Sequence, residues 1–421
     1  LPPVPEIIMP PGVHAETAKF GVEIIEEWKL EAGDGGMDIR VSVDELLEAV
    51  RAKDYTGMRV KSKVIRGGLL DNLSTHSSFT PPNRLSLFLA VSAVLSLSYT
   101  ESRRFIDAMN VLDFAFILGL PRGPVTKLMR YVEPMAMNDS TSPAEMALIR
   151  GNAKSYKVKN WRGEEHIVAL EREGLPRPIT NELEKGSEDS FKNLFSSSTS
   201  HHLPSYASNW DSLENLHDLS FLVTRHGHRV VPLEVGAMKA GTGVTEKTNT
   251  LREFVERWLL PSTEKGIWNY DSALSGDGVC YLAQHDILSQ IPILTSLIPP
   301  TVSVFGTIES SPTRVSCWLG TGGTKTPLHY DSYENVFVQV VGVKYVRIYP
   351  KSTTPRERLY LKGGGGAGKQ GNMSEVEVER CDPEKHPDFE GLEYKEVLLR
   401  PGDALYIAAG DWHYVRSLTT S

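Results

Sequence analysis

His329 and Asp331 stand two residues apart in TPLHYD, just ahead of an alternating run, NVFVQVVGVKYVRIYP, that reads as strand. Side chains at i and i+2 of a strand point to one side, so both groups can face a single cavity. A third candidate, His413 in GDALYIAAGDWHYV, follows Asp331 by 82 residues. Two neighbouring ligands cannot complete a facial set, so the third must come from a distant strand that the fold brings close. Two imidazoles and one carboxylate are the set that holds non-haem Fe(II) on one face and leaves the opposite positions open. The imidazoles supply borderline nitrogen donors, and the carboxylate offsets part of the metal's charge. A His-x-Asp pair alone arises often by chance; the constellation with its flanks is what points to a metal.

These groups need a scaffold, and the chain changes character along its length. The first 160 residues or so read as helical. SVDELLEAVRA offers Ser42 and Glu45 as a capping box, Leu85 to Leu97 reads as a buried helix, and Phe105 to Ile117 carries apolar residues at three- and four-residue spacing before Gly119 and Pro121 end it. VTKLMRYVEPM continues the pattern. Residues 171–210 are polar and then serine-rich, and read as a linker or a degenerate first strand. From about residue 221 strands take over: VVPLEVG, VSCWLG, NVFVQVV, VKYVRIYP, EYKEVLL and ALYIAAG. NVFVQVV and VKYVRIYP, parted at Gly342, read as an antiparallel hairpin. TLREFVERWLL reads as a helix capped by Thr250 and Glu253 and bounded by Pro261. Many short alternating strands in about 200 residues indicate a barrel or sandwich.

Composition excludes some classes. A net charge of −8 without a Lys/Arg tract gives no nucleic-acid surface and suits a basic peptide better. The longest apolar stretch falls short of the roughly 20 residues a membrane span needs. Three cysteines without metal spacing, Cys280, Cys317 and Cys381, fit a reducing intracellular compartment, and the opening LPPVPEIIMPPG shows no signal peptide. Two decoys are set aside. His201 and His202 lie in a serine-rich stretch without a further spaced ligand. GGGGAGKQ, residues 363–370, has Gln370 where a phosphate loop needs Ser or Thr, and the alternating SEVEVER follows it instead of a helix.

With Asn335 six and Lys344 fifteen residues after His329, the segment W-x-G-x-x-G-T-x-T-P-L-H-Y-D…N…K resembles the JmjC oxygenases, cupin-type Fe(II)/2-oxoglutarate enzymes. GDALYIAAGDWHYVRSL is similar to their distal-histidine strand. VVPLEVG, YLAQHDILSQIP and VQVVGVKYVRIY look most like the bifunctional peptidase and arginyl-hydroxylase group. The resemblance covers residues 221–420 well and the helical region loosely. It implies an α+β chain: an all-α domain over residues 1–170, the linker or first-strand region over 171–210, and a double-stranded β-helix oxygenase domain over 211–421. A last apolar, Trp-rich strand of the family has no counterpart after HYVRSLTTS, so a shortened barrel is expected.

Residue by residue, the resemblance implies Fe(II) on His329, Asp331 and His413. Lys344 would meet the distal carboxylate of 2-oxoglutarate, with Tyr281, Thr326 and Asn335 as hydrogen-bond partners. An inward lysine is costly to bury unless an anion meets it. Glu234 and Trp318 match positions that line the substrate pocket; a carboxylate with an aromatic face suits a guanidinium better than an ammonium. The implied reaction consumes O2 and 2-oxoglutarate, hydroxylates an arginine of a basic protein such as a histone or ribosomal protein, and yields succinate and CO2. Lysine demethylation by the same chemistry and a non-catalytic JmjC scaffold are the alternatives. No zinc-protease helix motif and no nucleophile with its base supports peptidase activity. Nucleus or cytoplasm is the implied location.

Overall fold

The computed structural model describes residues 17–19, 21–26, 37–74, 82–119, 124–139, 156–158, 175, 182–185, 198–236, 244–265, 267–269, 271, 278–298, 315–361 and 371–421. Most of the expected linker and the glycine-rich insertion 363–370 lie outside these residues. The described residues fall into two units, one of residues 1–154, 221–231 and 250–252, the other of 155–220, 232–249 and 253–421.

Among the described residues of the first unit, five helices follow in order from Met37 to Asp139: α1 Met37–Arg51, α2 Tyr55–Ser74, α3 Pro82–Glu101, α4 Phe105–Gly119 and α5 Pro124–Asp139. α3 is apolar on nearly every side, and Leu87, Phe88, Val91, Val94 and Leu95 are all buried in the core that the other helices cover. A helix that is apolar all round has to sit inside a bundle. Two of its buried serines find acceptors in the bundle: Ser98 Oγ donates to Leu95 O of the same helix at 2.9 Å and Ser96 Oγ to Ala108 O of α4 at 3.2 Å. Ser42 lies inside α1, which starts at Met37, so the expected capping box does not begin this helix. Among the described residues no helix is long and apolar enough to cross a membrane.

Among the described residues eleven strands form three sheets, nearly all of their residues in the second unit. β1 His201–Leu203, β10 Ala404–Ile407 and β7 Asn335–Val338 form one, ordered β1-β10-β7. β6 Lys325–His329, β11 Trp412–Ser417, β8 Lys344–Tyr349 and β9 Lys395–Leu399 form the second, ordered β6-β11-β8-β9. β3 Thr245–Thr250, β2 Val230–Val235, β4 Cys280–His285 and β5 Cys317–Gly320 form the third, ordered β3-β2-β4-β5. Every residue of β8 is buried. Val346 and Ile348 join Leu405, Ile407, Val415 and Phe337 in a core fed by the first two sheets, while Tyr345 and Tyr349 join Trp412 and Tyr414 on the other face. Alternation in KYVRIY thus sorts two buried faces, not a buried face from a wet one.

Four local expectations change. The serine-rich stretch supplies a strand, β1, in register with β10 (His201 opposite Tyr406). NVFVQVV and VKYVRIYP are not a hairpin: β7 pairs with β10, and β8 lies between β11 and β9. The chain crosses between sheets at Gly342, whose φ of +74° and approach to Thr420 O leave no room for a Cβ. SEVEVER makes only an isolated bridge at Ser374, opposite Leu361; its acids turn to cations instead, Glu377 to Lys325 Nζ at 3.1 Å and Glu379 to Arg416 Nε at 2.6 Å. Pro261 does not end its helix, which runs as Leu251–Phe254, a π turn Val255–Leu259 and Leu260–Lys265. In the π turn Leu260 N–H reaches back to Val255 O, and the proline that follows has no N–H to place.

Candidate metal centre

β6 and β11 run antiparallel with His413 directly opposite His329. The register then slips, three steps along β6 matching two along β11, so that Val415 faces Thr326. That bulge turns Thr326 and His329 to the same side, which an unbroken strand would not do for residues three apart. Asp331 follows two residues past His329, and Gly410 N–H donates to its carbonyl at 2.8 Å, tying the loop after β6 to the turn before β11.

The three side chains converge. One ligand atom from each of His329, Asp331 and His413 lies within 4.8 Å of the others. The imidazole centroids are 4.1 Å apart, and His413 Nε2 is 3.9 Å from Asp331 Oδ2. Each ring is oriented through its other nitrogen: Nδ1 of His329 lies 2.8 Å from Pro327 O, and Nδ1 of His413 lies 3.1 Å from Asp411 O. A backbone carbonyl on Nδ1 fixes the tautomer that leaves the Nε2 lone pair for a cation. Burial, and then the neighbouring His329, push His413 down to about 3, so its imidazole is neutral, the form that ligates.

Supports for this arrangement come from residues with no signal in the sequence. Asp411 accepts Ser200 Oγ at 2.7 Å and Lys351 N–H at 2.9 Å, and Ser200 also accepts Ala408 N–H at 3.0 Å. Glu334 accepts Tyr406 OH at 2.7 Å and Ala409 N–H at 2.9 Å. Both sets brace the turn that delivers His413. Asn335, expected to bond a co-substrate, donates Nδ2 to Asp331 Oδ2 at 2.8 Å, and among the described residues its side chain makes no other hydrogen bond.

Lys344 is 2% exposed, and among the described residues it forms no ion pair. Its Nζ sits 5.4 Å from the ring centroids of both Tyr281 and Phe337. Burial alone drives its pKa down to about 7. Tyr281 bonds the Thr326 side chain, and burial pushes its phenol up. Gly320 lies opposite Tyr281, and a Cβ there would stand 2.6 Å from Tyr281 Cδ2, so the glycine makes room for the ring. Lys344, Tyr281 and Thr326 therefore come together.

On the third sheet Glu234 faces Tyr281 across β2 and β4, and Tyr281 faces Gly320 across β4 and β5. Strand alternation sets Trp318, 41% exposed, on the face of Gly320. Burial, and then Glu246 of β3, raise the Glu234 carboxyl. His201 and His202 gather no metal set: His202 Nε2 lies 3.3 Å from Asp403 Oδ2, and among the described residues the one metal-ligand group found is His329, Asp331 and His413.

Comparison with known proteins agrees with this geometry. A family model described as a cupin-like domain matches residues 147–421. JmjC domain-containing protein F of Dictyostelium discoideum is 30% identical over 392 residues, 80% of each chain. Lysine-specific demethylase 8 of Danio rerio is 37% identical over 208 residues, 48% of this chain and 46% of that protein. Lysine-specific demethylase JMJ30 of Arabidopsis thaliana is 33% identical over 214 residues, 50% of this chain and 46% of that one. The chain thus spans most of the first relative and less than half the length of either demethylase. It belongs to the cupin-like family of JmjC proteins, the 2-oxoglutarate-dependent dioxygenases.

Proposed function

We propose that this chain hydroxylates an arginine side chain of a protein substrate. Fe(II) would be held by His329, Asp331 and His413, and 2-oxoglutarate by Lys344, Tyr281, Thr326 and Asn335. The observation that carries the oxygenase reading is Lys344, a cation 2% exposed that forms no ion pair among the described residues and has the rings of Tyr281 and Phe337 near its Nζ. Such a group costs several kcal/mol to bury charged without a counter-ion, and a small dicarboxylate supplies one. Bound together, the metal and the 2-oxo acid supply O2 activation coupled to decarboxylation, with succinate and CO2 as co-products. The chain's part is to orient and to exclude: carbonyl-anchored imidazoles keep their lone pairs aimed, Asn335 fixes Asp331, and Lys344 holds the far carboxylate.

The arginine reading rests on the third sheet. Burial, and then the neighbouring Glu246, raise the cost of charge on Glu234. A guanidinium relieves both, pairs bidentately and stacks on an exposed indole such as Trp318. The two sheets that share the Val346–Leu405 core support a double-stranded β-helix barrel over residues 211–421, preceded by an all-α domain over 1–170 and a connecting region over 171–210. A nuclear or cytoplasmic basic protein, histone or ribosomal, is the substrate class this reading favours.

Lysine demethylation is the second reading, favoured by the names of the Danio rerio and Arabidopsis thaliana relatives. Mass spectrometry separates the two. Incubation of the full chain with Fe(II), 2-oxoglutarate, O2 and paired peptides, one arginine-containing and one methyl-lysine-containing, is expected to add one oxygen to the arginine peptide. Glu234→Gln is expected to raise the peptide KM about tenfold, as a charge-assisted hydrogen bond worth 1.5–3 kcal/mol predicts, with the 2-oxoglutarate KM unchanged. Loss of a methylene from the methyl-lysine peptide, with no change in the arginine peptide, would overturn the assignment.

A further inference from the structure

Within the helical unit, residues 51–66 (RAKDYTGMRVKSKVIR) carry six cations against the single acid Asp54, in a chain whose net charge is −8. Part of this charge is accounted for. Arg51 pairs with Glu26 at 3.1 Å, Lys61 pairs with Glu45, and Arg66 is half-buried over the rings of Phe88 and Phe114 at 5.0 and 5.1 Å. Arg59 and Lys63 form no ion pair among the described residues. Their cationic heads lie 5.7 Å from the ring of Tyr99, which Arg104 approaches to 4.8 Å. Arg59 is steadied by a hydrogen bond to Ser102 Oγ at 3.0 Å.

The same helix leaves apolar surface beside these cations. α2 packs Met58, Ile65 and Leu69 into the core, and Val60 and Val64 remain 53% and 59% exposed. Residues four apart lie one above the other on a helix, so the two valines form a short stripe with Lys63 at its edge and Arg59 one step beyond.

We propose that this outer face of α2 docks an acidic, amphipathic segment of a partner protein, its apolar side chains on Val60 and Val64 and its carboxylates at Arg59 and Lys63. Charge complementarity selects an acidic occupant, and the valines select a peptide. A phosphate backbone has nothing to place on an aliphatic stripe. A bilayer surface asks for larger apolar groups than two valines. The site is independent of the oxygenase reading.

The test is fluorescence anisotropy of the full chain with a labelled peptide carrying Leu at i and i+4 and Glu elsewhere. Saturable binding is expected, weakening with added salt. Lys63→Glu is expected to weaken it about tenfold through like-charge juxtaposition. The doubly substituted Val60→Ser, Val64→Ser chain is expected to bind several-fold more weakly at unchanged helix content. Both valines are already exposed, so these chains should fold as the parent does. Absence of saturable binding would overturn the proposal, as would serine variants that bind like the parent. An oligonucleotide or anionic vesicle that binds more tightly than the peptide, indifferent to the valines, would overturn it too and assign the face to phosphate.

Discussion

At the scale of single residues, the consequential group is Lys344. Its pKa of about 7 follows from burial, and a bound carboxylate would raise it again, so binding of 2-oxoglutarate should be accompanied by proton uptake. The sign follows: affinity is full below about pH 7 and falls as pH rises above it, because the free lysine must first be protonated. A profile of the 2-oxoglutarate KM between acidic and alkaline pH should show that rise. Lys344→Arg, charged throughout, should flatten it. Lys344→Ala should raise the KM about 10- to 100-fold, the range of a charge-assisted pair, and leave the fold intact. A flat profile in the parent chain would remove the lysine from co-substrate binding. At this scale much was legible: His329, Asp331 and His413 were marked by their donor chemistry, and the structure brings them within 4.8 Å of one another. Ser200 and Asp411 were not. Their roles arise only once residues 211 positions apart meet in the fold, and no local pattern of residue types encodes that. Asn335 was legible as a polar group at the site, but its engagement with Asp331 depends on the loop between β6 and β7.

At the scale of elements, the segment entering β2 is held more tightly than its sequence suggests. Arg229 is fully buried; its guanidinium reaches Asp113 of α4 at 2.7 Å and Glu133 of α5 at 2.7 Å, and Val230 N–H donates to the other Asp113 oxygen at 2.9 Å. Breaking a buried pair by removing one partner costs about 3–5 kcal/mol, so Asp113→Ala should lower the unfolding free energy by that amount, read as a lower denaturant midpoint at unchanged slope. Beside the pair, burial and Arg229 push His228 down to about 4. An unfolded histidine binds its proton near pH 6.5, so the unfolded state holds more protons between those values. Stability is therefore complete above about pH 6.5 and is lost as pH falls towards 4, by up to about 3 kcal/mol from this group. Denaturant melts at pH 7 and pH 4.5 should differ in that direction, and His228→Gln should shrink the difference. HGHRVV gave no hint of the pair, because Asp113 and Glu133 are contributed by helices about a hundred residues away. Alternation located β8 but could not choose its neighbours: both faces are buried, so the pattern carries no preference for β7 over β11.

At the scale of the whole molecule, a chain of net charge −8 brings Glu234 and Glu246 near one another on β2 and β3 and gathers six cations over residues 51–66 of its helical unit. The switch from helical spacing to alternating strands was legible in the sequence, because those periodicities are set by backbone geometry. The pairing order of the three sheets was not, because it depends on which buried faces match. What joins residue chemistry to family membership is the claim that His329, Asp331 and His413 hold Fe(II) and that the metal then takes up 2-oxoglutarate beside Lys344. The direct measurement is anaerobic titration of the full chain with Fe(II) and 2-oxoglutarate, following the weak visible absorption of the metal–oxo-acid chelate, with His329→Ala in parallel. Saturable absorption in the parent chain that is absent from the folded variant is the predicted result. A folded parent chain that develops no absorption, or a variant that develops it equally, would contradict the assignment of these three residues as the metal centre.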